Sequence, residues 1–164
     1  MEIILEGPDN AGKSTLATYL GKALDRNIVS SEGREKHPGE INERVQRYFA
    51  TYRNVVFDRH PVISQSIYFI CGNKTSVNQD LVDKFYRENN LFIYCRPADD
   101  RGLAGHIEKA YDDPAFLKEI ADKYGQLLFA YDKWALNYAN IIYRIGDPIK
   151  NIINQIEGVL NNER

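Results

Sequence analysis

The eight residues "GPDNAGKS", Gly7–Ser14, constrain the fold of this chain more than any other stretch. They follow a short apolar run, Ile3–Glu6, and precede a segment with helical spacing of apolar residues. The glycines allow the backbone to curl until consecutive N–H groups face inward and form an anion-binding nest. The following helix adds the positive end of its dipole at the same place. The stretch therefore predicts a loop that holds phosphate groups.

The lysine and the serine that end this stretch indicate which phosphates the loop would hold. G-x-x-x-x-G-K-[ST] between a strand and a helix is the P-loop pattern of nucleoside triphosphate-binding proteins. Lys13 would bring a mobile charge to the β- and γ-phosphates, and the Ser14 hydroxyl can ligate Mg²⁺. A glycine-rich turn with a solvated lysine is the alternative. The residues expected to bind ATP are Gly7, Asn10, Ala11, Gly12, Lys13, Ser14 and Thr15.

Short apolar runs alternate with helical segments along the chain, and this alternation predicts the fold class. The predicted strands are Ile3–Glu6, Asn27–Val29, Asn54–Asp58, Leu91–Cys95 and Ile141–Ile145. The predicted helices are Lys13–Asp25, Pro38–Tyr52, Pro61–Ile70, Asn78–Glu88, Pro114–Asn140 and Pro148–Leu160. The order predicts an α/β protein with a three-layer P-loop NTPase fold, in which helices flank a five-stranded parallel sheet. At 164 residues we expect one domain, 1–164.

The stretch "VVFDRH" places Asp58 and Arg59 at the end of the third predicted strand. Ligands of such sheets bind beyond the carboxyl ends of the strands, where Gly7 also lies. A carboxylate there can hold Mg²⁺ or accept a proton from an attacking oxygen, and a guanidinium can grip a phosphate through two parallel hydrogen bonds. A surface ion pair is the alternative. We interpret Ser14 and Asp58 as the metal-binding residues and Lys13, Asp58 and Arg59 as catalytic.

The two stretches together resemble the thymidylate kinase branch of the nucleoside and nucleotide kinases. That family typically has an acidic residue at the position of Asp9, and its third strand ends in Asp-Arg plus an aromatic residue. The specific motifs cover only Glu6–Thr15 and Val55–Ser66. The resemblance implies transfer of the γ-phosphoryl group of ATP, with Mg²⁺, to a nucleoside monophosphate such as dTMP. It places Asp9 near the acceptor sugar, Arg59 on the acceptor phosphate and Asp58 as the metal-linked or basic carboxylate.

The chain departs from this family after the arginine. His60 stands where the family has Tyr or Phe, and Ser64 follows one position later than usual. Gln65 beside it could read the edge of a base. We expect Asp9, Arg59, Ser64 and Gln65 to bind the acceptor, although Pro61–Ile70 could also be a simple packing helix.

The lid region, residues 96–114, is shorter than in typical members of the family, and it offers few cations. A cation over the transferring phosphoryl group stabilises the transition state strongly. Of Arg96, Arg101, His106 and Lys109, we expect Arg96 and Arg101 to be catalytic and His106 to be a surface residue.

Two further groups of residues allow more than one interpretation. In the segment that follows the second strand, Glu32, Arg34 and Lys36 would contact the acceptor, or they would belong to a solvated loop. Two sets of aromatic residues at helical spacing are interpreted mainly as packing residues: Tyr48, Phe49 and Tyr52, and Tyr124, Tyr131 and Trp134. One residue of the first set could instead stack on a nucleobase.

Charge and composition exclude some classes of function. A net charge of −2 argues against broad capture of duplex nucleic acid. No stretch reaches the roughly 18 apolar residues of a membrane helix, and no leader pattern is visible, so we expect a cytoplasmic protein without a membrane partner. Cys71 and Cys95 lack metal-ligand spacing and are expected to be thiols. A homodimer is left as an alternative to a monomer.

Two other functions remain to be compared with a nucleotide kinase. A kinase could phosphorylate a hydroxyl on a nucleoside, a modified base or a polynucleotide end, and Asp58 would then act as a base. A nucleotide-binding switch or ATPase module is less well supported, because Asn73-Lys74 is followed by Thr75-Ser76 and so lacks the Asp of the guanine-reading NKxD motif.

Overall fold

A parallel five-stranded sheet forms the centre of the computed structural model, which describes residues 1–33, 35–72, 74–98 and 114–162. The strands are β1 (Glu2–Glu6), β2 (Ile28–Ser30), β3 (Val56–Asp58), β4 (Asn90–Arg96) and β5 (Ile141–Arg144). Their order across the sheet is β2-β3-β1-β4-β5. β1 is therefore the central strand, with β3 on one side and β4 on the other.

The described part of the chain contains six helices, arranged in layers on both faces of the sheet. They are α1 (Lys13–Ala23), α2 (Glu40–Thr51), α3 (Pro61–Ile70), α4 (Gln79–Arg87), α5 (Pro114–Tyr138) and α6 (Ile149–Asn162). α1 and α6 cover the face on which Ile3 and Leu5 lie. Residues of α2 to α5 pack on the opposite face with Ile4. The predicted three-layer α/β fold with a five-stranded parallel sheet is confirmed.

Alternation along the buried strands explains these two cores. β1 is an almost continuous apolar run, as expected for a parallel strand that is covered on both faces. Successive side chains point to opposite faces, so Ile4 enters one core while Ile3 and Leu5 enter the other. The exceptions in β1 are its two ends: Glu2 is partly exposed, whereas Glu6 is a fully buried carboxylate directly before the glycine loop.

The element boundaries differ from the predicted ones by at most two residues. α2 begins at Glu40 instead of Pro38, because Gly39 precedes it with φ 87°, a left-handed conformation that does not continue a helix. β3 begins at Val56 instead of Asn54, whose φ of 56° is likewise left-handed. α3 has the predicted bounds, with Pro61 at its first turn, where proline is favoured.

The structure also shows the state of the two cysteines and the character of the described helices. Cys71 and Cys95 are both free, and Cys95 is buried in β4. Among the helices that the structure describes, none is long and apolar enough to cross a bilayer.

Candidate active site

Gly7 and Gly12 shape the loop between β1 and α1. Gly7 has φ 151°, and a Cβ atom at this position would lie 2.2 Å from the carbonyl oxygen of Cys95 on β4. Gly12 has φ 78° and caps the N-terminus of α1. Both positions therefore require glycine, and Asn10 between them is also left-handed, with φ 59°. The loop has the glycine-dependent curl that an anion-binding nest needs.

Lys13 folds back over this loop. Its ammonium donates a hydrogen bond of 2.5 Å to the carbonyl oxygen of Pro8, and its side chain is buried. Burial lowers the pKa of Lys13 to about 8. A bound phosphate would give the ammonium a charged partner at the same place, and charge-assisted hydrogen bonds are stronger than the bond to a neutral carbonyl.

Ser14 and Asp58 are joined directly. The Ser14 hydroxyl donates a hydrogen bond of 2.5 Å to Oδ2 of Asp58. A hydroxyl and a carboxylate oxygen are hard oxygen ligands, the type that Mg²⁺ uses when it is also bound by substrate phosphates and water. Among the described residues no group of three or more His, Cys, Asp or Glu side chains could hold a metal by itself. The pair thus fits a magnesium ion whose remaining ligands come from the nucleotide and from water.

Arg59 is held in one orientation by three oxygen atoms. Its guanidinium donates to Asp9 Oδ1 at 2.6 Å, to the Tyr68 hydroxyl at 2.8 Å and to the Tyr131 hydroxyl at 3.2 Å. The side chain is only 13% exposed. Its backbone is left-handed, with φ 72°, and its N–H donates to the carbonyl of Leu5 at 3.0 Å. The structure therefore brings the predicted acceptor residues Asp9 and Arg59 into direct contact.

A cavity of about 870 Å³ opens beside this pair. Asp9 and Arg59 line it together with residues of α2, α3 and α5, and its size is within the range of small-molecule sites. α3 contributes one face of its helix, including the predicted acceptor residues Ser64 and Gln65. Four predicted acceptor residues from separate parts of the sequence thus line one cavity.

Gln65 and Ser64 have different surroundings within this wall. Gln65 is buried, and its Oε1 atom has no hydrogen-bond partner among the described residues. A buried polar atom without a partner is costly, which points to a ligand that supplies a donor. The Ser64 hydroxyl instead donates to Oε1 of Glu6 at 2.8 Å. Ser64 therefore supports the wall from within, while Gln65 lines the cavity and has an acceptor atom without a partner among the described residues.

The loop after β2 is tied to α2 and forms a second wall. The Arg44 side chain pairs with Glu40 through two hydrogen bonds, of 2.6 and 3.0 Å, and also donates to the carbonyl of Gly33. Glu32 lines the cavity and pairs with Arg47. Lys36 is exposed. Glu32 is the predicted residue of this loop that the structure places at the cavity; Arg34 lies outside the described residues.

Arg96 lies at the end of β4 and is paired with α5. Its guanidinium donates to both carboxylate oxygens of Asp132, at 2.9 and 3.1 Å. Its catalytic role stays a prediction. Arg101, His106, Lys109 and the segment 99–113 lie outside the described residues.

Three residues of the site were missed by the sequence analysis. Glu6 accepts hydrogen bonds from three donors beneath the loop, and the hydroxyls of Tyr68 and Tyr131 hold Arg59. The acidic residue at the end of an otherwise apolar strand was a usable signal for Glu6. Tyr131 had been interpreted as a packing residue, and its aromatic neighbours in α5 gave no sign of a polar role.

His60, the residue that departs from the family pattern, is a packing and capping residue. It is fully buried, and its ring stacks on Phe85 at a centroid distance of 4.3 Å. Its Nδ1 atom accepts a hydrogen bond from the Val62 N–H and so caps α3. The His60 imidazole thus stands where the family has a Tyr or Phe ring, and it packs among aromatic side chains.

Solved structures share this fold. YorR from Bacillus subtilis, solved in complex with phosphorylated GDP, is 22% identical, with a TM-score of 0.73 over 100% of this chain and 99% of that one. Deoxyadenosine kinase from M. mycoides, solved with the products dCMP and dCDP, is 18% identical, with a TM-score of 0.62 over 99% of this chain and 100% of that one. No family model and no curated protein matches the sequence. The phosphate loop, the strand order and these likenesses show that the chain has the α/β fold of the P-loop kinases.

Proposed function

We propose that this protein is a kinase that transfers the γ-phosphoryl group of ATP, with Mg²⁺, to a deoxynucleoside monophosphate, with dTMP or a related deoxynucleotide as the acceptor. The observation that carries this proposal is the position of Arg59. Its guanidinium is fixed by Asp9, Tyr68 and Tyr131 at the wall of a cavity that begins beside the phosphate loop. A fixed guanidinium recognises a phosphate through two parallel hydrogen bonds.

The donor side of the site supports ATP as the phosphoryl donor. The glycine-dependent curl of the loop, the N-terminus of α1 and the Lys13 ammonium over the loop support a site for the β- and γ-phosphates here. Ser14 and Asp58 would hold a magnesium ion, which would neutralise negative charge on the phosphates.

The acceptor side supports a nucleotide. Asp9 offers a carboxylate for a sugar hydroxyl, and Gln65 Oε1 offers an acceptor for a base N–H. Thymine presents one N–H between two carbonyl oxygens, and the Gln65 amide can both accept from the first and donate to one of the second. The nucleotides in the two solved structures of similar fold support this class of ligand.

Positioning and charge neutralisation account for the chemistry. The phosphate oxygen of a monophosphate attacks the γ-phosphorus, the bond from that phosphorus to the β–γ bridging oxygen breaks, and ADP leaves. Because the attacking oxygen is already anionic, no base has to remove a proton. Arg59 orients the acceptor phosphate, and Lys13 stabilises the charge on the transferred group.

A second candidate function is transfer to a hydroxyl of a nucleoside, a modified base or a polynucleotide end. It is favoured by the carboxylates that face the cavity, Asp9, Glu32 and Glu35, because a neutral hydroxyl must lose a proton to a base. The likeness to deoxyadenosine kinase also supports it.

A panel of acceptors with γ-labelled ATP distinguishes these functions. It contains dTMP, dCMP, dAMP and dGMP, the four corresponding nucleosides, and a single-stranded oligonucleotide with a 5′-hydroxyl. We expect a labelled deoxynucleoside diphosphate, with the highest kcat/KM for dTMP. Label on the nucleosides or the oligonucleotide alone would replace the proposal with the second candidate. ATP turnover without any labelled acceptor would instead indicate an ATPase module.

A further inference from the structure

We propose that Glu6 is a positioning residue that holds Arg59 in its acceptor-binding orientation, and that the Tyr131 hydroxyl connects the two side chains. This inference rests on the proposed function, since it assigns the origin of Arg59's orientation. Glu6 is fully buried and is not among the described residues that line the cavity.

The burial of Glu6 requires an explanation. It ends β1 with no exposed surface, directly after the buried apolar residues Ile3, Ile4 and Leu5. Burying a carboxylate is costly unless hydrogen bonds and an opposite charge compensate it. Such a residue is retained in a core only where its partners stabilise it strongly.

Both carboxylate oxygens of Glu6 have partners that lead to Arg59. Oε1 accepts from the backbone N–H of His60 at 2.7 Å and from the Ser64 hydroxyl at 2.8 Å. Oε2 accepts from the Tyr131 hydroxyl at 3.1 Å. His60 directly follows Arg59 in the chain, so the hydrogen bond from the His60 N–H to Glu6 fixes the peptide group that joins the two residues.

The Tyr131 hydroxyl makes the connection to the side chain. Its single proton is donated to Glu6, so the same oxygen can accept the hydrogen bond from Nη1 of Arg59 at 3.2 Å. The guanidinium thus donates to the hydroxyl, and the hydroxyl donates to the carboxylate. Donors and acceptors match along the whole chain of hydrogen bonds.

The backbone of Arg59 needs this support. Its φ of 72° is unfavourable for a residue with a side chain, and such conformations persist only where the surroundings hold them. The Leu5 carbonyl accepts from the Arg59 N–H, and Glu6 accepts from the next N–H. Two consecutive residues of β1 therefore hold two consecutive amides, which sets the direction in which Arg59 leaves the sheet.

Electrostatics act in the same direction. Burial raises the pKa of Glu6, and the positive charge of Arg59 is the largest influence that opposes this rise. Other charged groups near the carboxylate include Lys13. The negative charge of Glu6 in turn attracts the Arg59 guanidinium toward the buried carboxylate.

The test compares Tyr131→Phe and Glu6→Gln with the control Tyr86→Phe. Tyr131→Phe removes one hydroxyl from the chain of bonds, and Glu6→Gln keeps the shape but presents an amide to three donors. Tyr86→Phe also removes a tyrosine hydroxyl, from a partly buried side chain that accepts from Trp134 Nε1 at 3.0 Å on the same face of the sheet. Kinetic constants for dTMP and for ATP are measured for each, together with the melting temperature.

We expect the KM for dTMP to rise about tenfold in Tyr131→Phe, as for the loss of one hydrogen bond to a charged group, and further in Glu6→Gln. The KM for ATP should stay within about twofold in Tyr131→Phe. Glu6→Asp, which keeps the charge, should recover part of the loss seen in Glu6→Gln. A purely structural role would lower the melting temperature in all variants and leave the KM for dTMP as in Tyr86→Phe, and this result would overturn the inference.

A crystal structure of Tyr131→Phe separates this inference from the proposed function. We expect the Arg59 guanidinium to leave its contact with Asp9. An unmoved guanidinium contradicts the inference whether or not the protein phosphorylates dTMP. A wild-type protein that phosphorylates no nucleotide contradicts the proposed function instead, and the position of Arg59 in the crystal then decides the inference by itself.

Discussion

The Ser14 hydroxyl and the Asp58 carboxylate are 2.5 Å apart, although 44 positions separate them in the sequence. The contact exists because Ser14 is in the first turn of α1 and Asp58 ends β3, and β3 pairs in parallel with β1, the strand that precedes the loop. Leu5 and Asp58 are partners in this register. The strand pairing therefore sets the position of the candidate magnesium ligands.

Replacing Asp58 tests this arrangement. Asp58→Asn keeps an oxygen that can accept from Ser14 but removes the negative charge. We expect kcat to fall about a hundredfold and to recover partly at high Mg²⁺ concentration, because a metal ion contributes several kcal/mol to transition-state stabilisation. Activity is measured as a function of MgCl₂ concentration. Asp80→Asn, an exposed carboxylate in the first turn of α4, is the control. An unchanged magnesium dependence in Asp58→Asn would contradict the assignment.

Lys13→Ala tests the phosphate loop. We expect phosphoryl transfer to fall by at least about a hundredfold, because the ammonium would stabilise the charge on the transferred group. The fold should persist, since the hydrogen bond that the Lys13 side chain makes within the described residues goes to the loop carbonyl of Pro8 and not to the core. Lys22→Ala, an exposed lysine in the last turn of the same helix, should keep full activity. If Lys13→Ala were as active as Lys22→Ala, the loop would not be the ATP site.

Arg59→Ala tests the acceptor side. We expect the KM for the acceptor to rise about ten- to a hundredfold, the effect of losing hydrogen bonds to a charged group, with little change in the KM for ATP. Steady-state kinetics with each substrate varied in turn give both constants, and circular dichroism confirms folding. Arg53→Ala, an exposed arginine before β3, is the control. A change confined to the KM for ATP would place Arg59 on the donor side.

His60 predicts a pH dependence of stability. Burial lowers the pKa of His60 from 6.5 to about 3, so the unfolded state binds the proton first as the pH falls. Protonation then favours unfolding, and the contribution of His60 to the free energy of unfolding should fall by about 1.4 kcal/mol per pH unit below about pH 6, with no loss above pH 7.

The measurement is urea unfolding at pH 7, 6 and 5 for the wild type and for His60→Asn. Asparagine keeps an acceptor for the Val62 N–H but does not titrate. The stability gap between the two proteins should narrow as the pH falls. A constant gap would mean that the imidazole is protonated within the fold.

The sequence analysis predicted the features that depend on neighbouring residues. Gly7–Ser14 is continuous, and its place between a strand and a helix is visible from local spacing. Asp58 and Arg59 were found because they end an apolar strand. The resemblance assigned Asp9 and Arg59 to different parts of the acceptor, and the direct contact between them was not predicted.

The contacts that depend on tertiary structure could not be predicted in this way. Tyr131 meets Glu6 across 125 positions, and the partner of its hydroxyl is set by how α5 packs on the sheet. Its ring stacks parallel to that of Tyr94, so packing and polar roles are combined in one residue. Tyr124 was likewise interpreted as a packing residue, and the structure places it at the cavity wall.

The close approach of Gly7 to Cys95 couples the start of the phosphate loop to the distance between the central strands β1 and β4. Any side chain at position 7 would force β1 and β4 apart, since even a Cβ atom would overlap the Cys95 carbonyl. β1 carries Glu6 and β4 carries Arg96, so a single added methyl group would disturb the Glu6 hydrogen bonds and the Arg96–Asp132 pair together. The chain thus has no freedom to exchange this glycine, and a change here would disturb the packing of the central sheet as well as the loop.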